Sequence, residues 1–589
     1  MQLGCRDGAP SSMGFTAAKG SMVGLFSTGC TLLGFLLPVV ASWPAPVVDY
    51  RAVLYTDNAT AIALAAAALR TWMAANDPDY PLYHLAPPEG HANDPNGVTW
   101  DAARGLYHRF YQYDRTYDES CMHGNYTDCD GFSRNGTLNP AARAWGQTTS
   151  RDLVHWEEWP AIVGDSEWDW RAVYSGNCAL DDRGDPVCVY TGGREAPCDT
   201  GVCATSRDWI HWEKRGCMLT APSPKSQTNH DSALVRLRDG TWVVVVGGCT
   251  YNGGNVPNGT CMGNAQLWRS DDLSTFRYWK PLGAAEGPGT YWELPYLLGF
   301  DEHGTALPND AIEDASTTAL LFGEGGNKYF FGSLADDVSF SRAWAEPKET
   351  DAFPPYYSFN PHATDVRSDG TTRRLMFGWI LVFGPTSRVS AAAEAGRVPP
   401  WDGAHSLCRA VTADVGAGAL VQTPCPETRA LRGIRAGAVA NKRLADGVFV
   451  GLSNVGDALN VVASFDVGDA DFVGLSVRVL DDFSCDVVWN VSAATLTAGV
   501  DPPWPAVYPP APTDPVELEV FVDRSIVEVY FFGAALTSRC ALPASLHDEL
   551  ARRGAVPSEV ASVRAFAKGG TATLARLEAW TMGSMWAAA

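Results

Sequence analysis

Basic charge is scarce in this 589-residue chain. Its 44 Lys and Arg stand against 67 Asp and Glu, leaving a net charge of -23 and a pI near 4.8. That deficit argues against nucleic acid and anionic membrane surfaces as partners. No Cys-x-x-Cys occurs among the 15 cysteines, so a zinc cluster is not expected and no cofactor is called for. Between residues 82 and 395 no long amphipathic helical pattern is found, which removes the helical fold classes. What is present in quantity is apolar and aromatic: 46% hydrophobic, 11% aromatic, 21 Trp. That is ample for a core, and the length calls for two or three domains.

Residues 1–45 read as an address, a signal peptide or an N-terminal anchor. Met22 to Val40 is apolar, and Val39-Val40-Ala41 before Ser42 has the small-residue form of a cleavage site. The apolar run is long for a signal peptide, which keeps an uncleaved anchor open. Either way the body of the chain is expected outside the cytosol, secreted, extracellular or vacuolar. The cysteines agree: Cys121 and Cys129, Cys198 and Cys203, Cys249 and Cys261, and Cys408 and Cys425 are close pairs that suit loop-stapling disulfides. Removing Cys5 and Cys30 leaves 13, an odd number, so at least one is a free thiol or an intermolecular bridge. Glycosylation sequons stand at Asn58, Asn125, Asn135, Asn258 and Asn490.

Residues 46–81 form a helical extension: 57 to 75 is Ala-rich with an Asn or Thr cap. From 82 to 395 the pattern is short β runs split by Gly, Asp and Pro turns. Ser150-Arg151-Asp152-Leu153-Val154-His155-Trp156 recurs as Ser206-Arg207-Asp208-Trp209-Ile210-His211-Trp212, with a degenerate copy at Ser270-Asp271-Asp272-Leu273-Ser274-Thr275-Phe276. A spacing of 56 and then 64 residues, with several strands per unit, predicts a β-propeller of about five blades. The charged Ser-Arg-Asp segments are blade corners on this reading. Residues 396–425, with Arg397-Val398-Pro399-Pro400-Trp401, read as a linker. Beyond it, 426–589 alternates polar and apolar residues, as in Leu518–Phe531 around a turn, and predicts a β-sandwich. The fold class expected is therefore all-β, a five-bladed propeller followed by a C-terminal sandwich.

The chain is organised around His91-Ala92-Asn93-Asp94-Pro95-Asn96-Gly97, a tight turn feeding a β-hairpin. A second Asn-Asp-Pro, at Asn76-Asp77-Pro78-Asp79, has no hairpin after it and reads as a helix end. The first stretch, with Phe110-Tyr111-Gln112-Tyr113 following it, resembles the signature of glycoside hydrolase family 32, the invertases and fructan hydrolases. The resemblance extends to Leu518–Phe531 and Thr537-Ser538-Arg539, and so covers roughly residues 82 to 580.

Glycoside hydrolysis needs two carboxyl groups flanking the scissile bond, about 5 Å apart in a retaining enzyme. Propeller blades from distant parts of the chain meet that need by converging on one funnel. The resemblance makes Asp94 the nucleophile. It makes Glu293, in Trp292-Glu293-Leu294-Pro295-Tyr296, the acid/base, with Leu294 and Tyr296 where the family has Cys and Asp. Asp231, in Asn229-His230-Asp231-Ser232, matches the Asp of the family's Arg-Asp-Pro and supports the transition state. His230 and Ser232 depart from that motif, as His91-Ala92 departs from Trp-Met. Asn93, Gln112, Ser175 and His230 are the expected sugar contacts, and each equally suits a strand residue with a satisfied polar tip. The activity implied is release of terminal β-D-fructofuranosyl units from sucrose or fructans, without a metal. A fructosyltransferase using the same residues and a non-catalytic sugar-binding homologue are the alternatives. The only partner expected is a small sugar or a fructan.

Overall fold

A computed structural model describes residues 50–114, 143–170, 172–193, 200–216, 226–252, 260–288, 290–351, 355–367, 370–383, 389–499, 506–507 and 515–586. At 193, 200, 226–230, 251–252, 260, 284–288 and 506–507 only the backbone is described. The N-terminal address, Cys121, Cys129, Cys198 and the sequons at Asn125, Asn135 and Asn258 lie outside the described residues.

The Ala-rich segment is a helix, Ala59–Asn76, capped by the Asn58 side chain accepting from the Ala61 N–H at 3.0 Å. Ile62, Ala65, Ala66, Leu69 and Met73 recur three or four residues apart and form its buried face. Arg70 on that face bonds Glu158 of the first blade, and the Trp586 ring covers the guanidinium at 3.4 Å. The helix stops at Asn76 because Pro78 forces Asp77 into extended backbone, φ -121° and ψ 110°.

Five antiparallel sheets follow, each with its four principal strands in sequence order. Blade I runs from Gly90–Asp101 to Trp156–Ile162, blade II from Ala172–Leu180 to Glu213–Gly216, and blade III from Ser226–Arg236 to Arg277–Pro288. Blade IV runs from Glu293–Phe300 to Phe340–Arg342. The repeated Ser-x-Asp segments join the third and fourth strands of blades I to III. In each, one Asp oxygen accepts two backbone N–H groups: Val154 and His155 on Asp152, Ile210 and His211 on Asp208, Ser274 and Thr275 on Asp272. The next residue turns left-handed, at φ 63°, 65° and 57° for Leu153, Trp209 and Leu273, and drops an apolar side chain into the core. Val338, φ 62°, marks a fourth copy in blade IV that is too degenerate to see in sequence.

The segment 396–425 is not a linker, and the propeller does not end at 395. Blade V is built from Tyr356–Asn360, Thr372–Ile380, Arg409–Asp414 and Ala419–Pro424. Its two outer strands therefore come from the supposed linker, stapled by the Cys408–Cys425 disulfide. The Pro-Pro-Trp run closes the ring: Trp401 and Asp402 pair in parallel with Gly90 and His91 of blade I. Further disulfides join Cys178 to Cys188, Cys249 to Cys261 and Cys485 to Cys540.

From Arg432 onward two six-stranded sheets pack face to face around a Val- and Leu-rich core. The alternating stretch forms two of these strands, Val516–Asp523 and Ile526–Phe531, turning at Arg524. Between the sandwich and the propeller lies a buried polar network. The His84 ring bridges Asp523, 2.9 Å, and Glu528, 3.0 Å. Arg409 of blade V holds Glu528 and Asp351, each at 2.9 Å. Asp523 also accepts the backbone N–H groups of Leu82, Tyr83 and His84, which fixes the chain as it enters blade I.

Candidate active site

The innermost strand of every blade is broken near its N-terminal end. Blade I loses register between Ala92 and Pro95, blade II between Val173 and Gly176, and blade III where Val246 and Gly248 of the second strand face Ser232 and Thr228. Blade IV loses it between Glu293 and Tyr296, and blade V between Tyr357 and Asn360. In four blades two residues of the inner strand stand opposite one of its neighbour, a β-bulge; in blade III three do. Bulges re-aim side chains and leave the rest of the ladder intact. Asp94, Ser175 and Asp231 lie inside these irregularities, and Glu293 and Tyr357 are the last paired residues before them.

Asp94 is thereby turned into a cluster of donors. The Gln112 amide donates to its Oδ2 at 3.0 Å, and the Ser175 hydroxyl donates to the same oxygen. Behind it Asn96 spans two blades, donating to the Asp94 carbonyl at 2.8 Å and accepting from the Gly176 N–H at 3.0 Å. Burial pushes the Asp94 carboxyl above its ordinary range, while Ser175, Ser358 and the charge on Arg143 oppose that rise.

Asp231 is buried and accepts the Leu294 N–H. Its carboxyl is driven well up by burial first, then by the charges of Glu293 and Asp94. Glu293 accepts from the Tyr357 hydroxyl at 2.5 Å. The Tyr357 phenol is raised by burial and then by the fields of Glu293, Asp94 and Asp231. Tyr296, in the place where the resemblance calls for Asp, is raised by burial and by Asp231 and Asp94. Carboxylates from blades I, III and IV thus act on one another in one funnel. The pair Glu293 and Tyr357 is held by packing: Trp292 stacks on Phe322 at 4.2 Å between ring centres, and Gly323 lies opposite Glu293. A Cβ on Gly323 would stand 2.8 Å from the Tyr357 hydroxyl oxygen.

Of the residues expected from sequence, Asp94, Gln112, Ser175, Asp231 and Glu293 are brought together. Asn93 is in place beside them; its carbonyl bonds the His405 ring at 2.6 Å. The backbone of His230 is in the inner strand of blade III, next to Asp231, and its side chain lies outside the described residues. Ser232 is structural, donating to the Val189 carbonyl of blade II at 2.8 Å. Three residues were missed: Arg143, Tyr296 and Tyr357. Tyr296 had a signal, since it sits inside the acid motif. Arg143 and Tyr357 had none: Arg143 reaches Gln112 through pairing of two neighbouring strands of blade I, and Tyr357 reaches Glu293 through packing of blade V beside blade IV.

Two family models match end to end over this architecture. The glycosyl hydrolases family 32 N-terminal domain covers residues 84–127 and 132–424, and the family's C-terminal domain covers 430–581. The chain belongs to glycosyl hydrolase family 32.

The N-terminal match ends where blade V ends, which agrees with the fold and not with a boundary at 395. Among family 32 relatives, sucrose-6-phosphate hydrolase of Escherichia coli is 29% identical over 366 residues, covering 60% of this chain and 66% of that one. Fructan 6-exohydrolase of Beta vulgaris is 27% identical over 385 residues, 61% of this chain and 56% of that one. The aligned part thus spans two thirds of these relatives or less. The crystal structure of fructan 1-exohydrolase IIa from Cichorium intybus superposes with a TM-score of 0.67 at 20% identity, over 86% of this chain and 98% of that one.

Proposed function

We propose that this family 32 protein is a retaining β-fructofuranosidase that releases terminal fructose from sucrose or a fructan. The observation that carries the reading is the meeting of three carboxylates from separate blades, whose charges act on one another. Asp94 attacks the anomeric carbon of the fructofuranosyl unit, forming an ester as the bond to the leaving oxygen breaks. Glu293 gives its proton to that oxygen. Glu293 then takes a proton from water, whose oxygen attacks the same carbon and returns Asp94 as the free carboxylate. Asp231 binds ring hydroxyls and strengthens that hold as positive charge develops. Gln112, Ser175, Asn93 and His230 are the sugar contacts.

The related proteins named above are hydrolases, which favours water over a second sugar as acceptor. The presence of all three acids disfavours a silent binding protein. The compartment belongs to the same proposal: the disulfides support an oxidising environment, and the exposed sequon at Asn58 is open to glycosylation. Incubation with sucrose, inulin and levan, reading free fructose, tests the activity. Methanol as acceptor tests retention, since double displacement gives the β-fructoside. Absence of fructose from all three substrates overturns the reading.

A further inference from the structure

Arg143 begins the third strand region of blade I and is used by neither the family motif nor the mechanism above. Its guanidinium makes a fork on Asp114, with Nε at 3.0 and 3.1 Å from the two carboxylate oxygens and Nη2 at 2.8 Å. Its remaining arm, Nη1, donates to Gln112 Oε1 at 3.1 Å. It also crosses to blade II: its carbonyl accepts the Val173 N–H at 3.0 Å, and the guanidinium lies 5.4 Å from the centre of the Tyr174 ring. Tyr174 is the residue before Ser175.

A Gln side chain can rotate by 180° and exchange its oxygen for its nitrogen at little steric cost. At Gln112 the two orientations are chemically opposite. As found, the NH2 group faces the Asp94 carboxylate and the Ser175 oxygen. Flipped, an amide oxygen would face the carboxylate and an NH2 would face a guanidinium. We propose that Arg143 is a positioning residue, fixing the Gln112 amide so that it always donates to the Asp94 carboxylate and never accepts beside it. The inference rests on the proposed fructosidase reading, because it assigns Arg143 a purpose only if Asp94 is the attacking group.

Arg143 has a second effect through space. It is among the groups that hold the Asp94 carboxyl down against the rise caused by burial. The other groups facing Asp94 are Ser175 of blade II, Asp231 of blade III, Tyr296 and Glu293 of blade IV, and Tyr357 and Ser358 of blade V. Arg143 is the cation whose charge lowers the Asp94 carboxyl. Asp114 takes up part of its charge and, by pairing with it, keeps the side chain extended across the strand.

The test separates orientation from charge. Arg143→Met removes both. It should raise KM for sucrose about tenfold, the loss of roughly one oriented hydrogen bond, and move the acid limb of the kcat/KM profile to higher pH. Arg143→Lys keeps a positive charge but has no planar fork. It should return the acid limb toward the wild-type pH while KM stays raised. If Arg143→Met does not fold, Asp114→Asn loosens the fork without removing the cation and should raise KM with the acid limb nearly in place. An active wild type whose variants match it in KM and in acid limb overturns the role of Arg143. A wild type that releases no fructose overturns the function itself, a different and separately visible result.

Discussion

Two groups of three carboxylates, one at the seam of propeller and sandwich and one in the funnel, differ in what stands between the acids. At the seam of propeller and sandwich, Asp351, Asp523 and Glu528 are interleaved with Arg409 and His84. The Arg409 charge and the His84 bond hold Glu528 down at about 2 against its own burial, and the two acids lift His84 to about 9. Asp351 stays above its ordinary range, because burial outweighs Arg409 there. In the funnel both aspartates are raised by burial, and the charges of Glu293 and Asp94 add to the rise at Asp231. Acids interleaved with cations hold the fold together; acids that raise one another suit chemistry. Burial separates them as well as neighbours: the seam acids are all buried, whereas Asp94 and Glu293 are half-buried.

The comparison is broken most directly at Asp94. Asp94→Ala should cut hydrolysis by about 10^4-fold, with a melting temperature unchanged or raised because one repelling carboxylate is gone. A large loss of melting temperature would place Asp94 in the structural class instead. The reverse result is expected at the seam. Arg409→Met strands Glu528 and Asp351 and should cost about 3–5 kcal/mol, read as a lower denaturation midpoint, while the folded fraction keeps its turnover.

His84 sharpens the contrast through pH. Its folded pKa lies above the ordinary histidine value, so its contribution is complete below about 6.5 and is lost as pH rises through about 9. The shift corresponds to about 3 kcal/mol at most. Melting temperature should fall between those limits, and His84→Gln should flatten that limb. The smallest effect is expected at Gly323→Ala, whose Cβ would press on the Tyr357 hydroxyl oxygen that donates to Glu293. A several-fold fall in kcat with little change in melting temperature is the expected outcome. An unchanged kcat would show that Glu293 does not depend on Tyr357.

The sequence was legible where structure is local. The Ser-x-Asp corner is a closed loop of hydrogen bonds within six residues, Ser150 to His155 in blade I, so its recurrence revealed the blades. The two Asn-Asp-Pro stretches were told apart by what followed each. Asp94 entered the funnel. Asp77 capped a helix, accepting from Ser390 at 2.5 Å and Trp401 at 2.9 Å, while Asp79 bonded Arg478 at 2.7 Å. The 396–425 stretch was misread because Pro399-Pro400 has linker composition, while its pairing with blade I and with Thr372–Ile380 is invisible in a linear pattern. Arg143 and Tyr357 were out of reach for the same reason. Arg143 meets Gln112 across one strand pair of blade I, and Tyr357 meets Glu293 across the contact of blades V and IV.

Those five breaks in the inner strands bear on how such a molecule changes. At each one the aim of a side chain is uncoupled from the ladder that carries the blade. A replacement there alters what a sugar meets and leaves neighbouring strands in register. The funnel is thus a ring of mounts on a rigid frame, and cross-ties such as Ser175 to Asp94 and Tyr357 to Glu293 decide which of them can be refitted together.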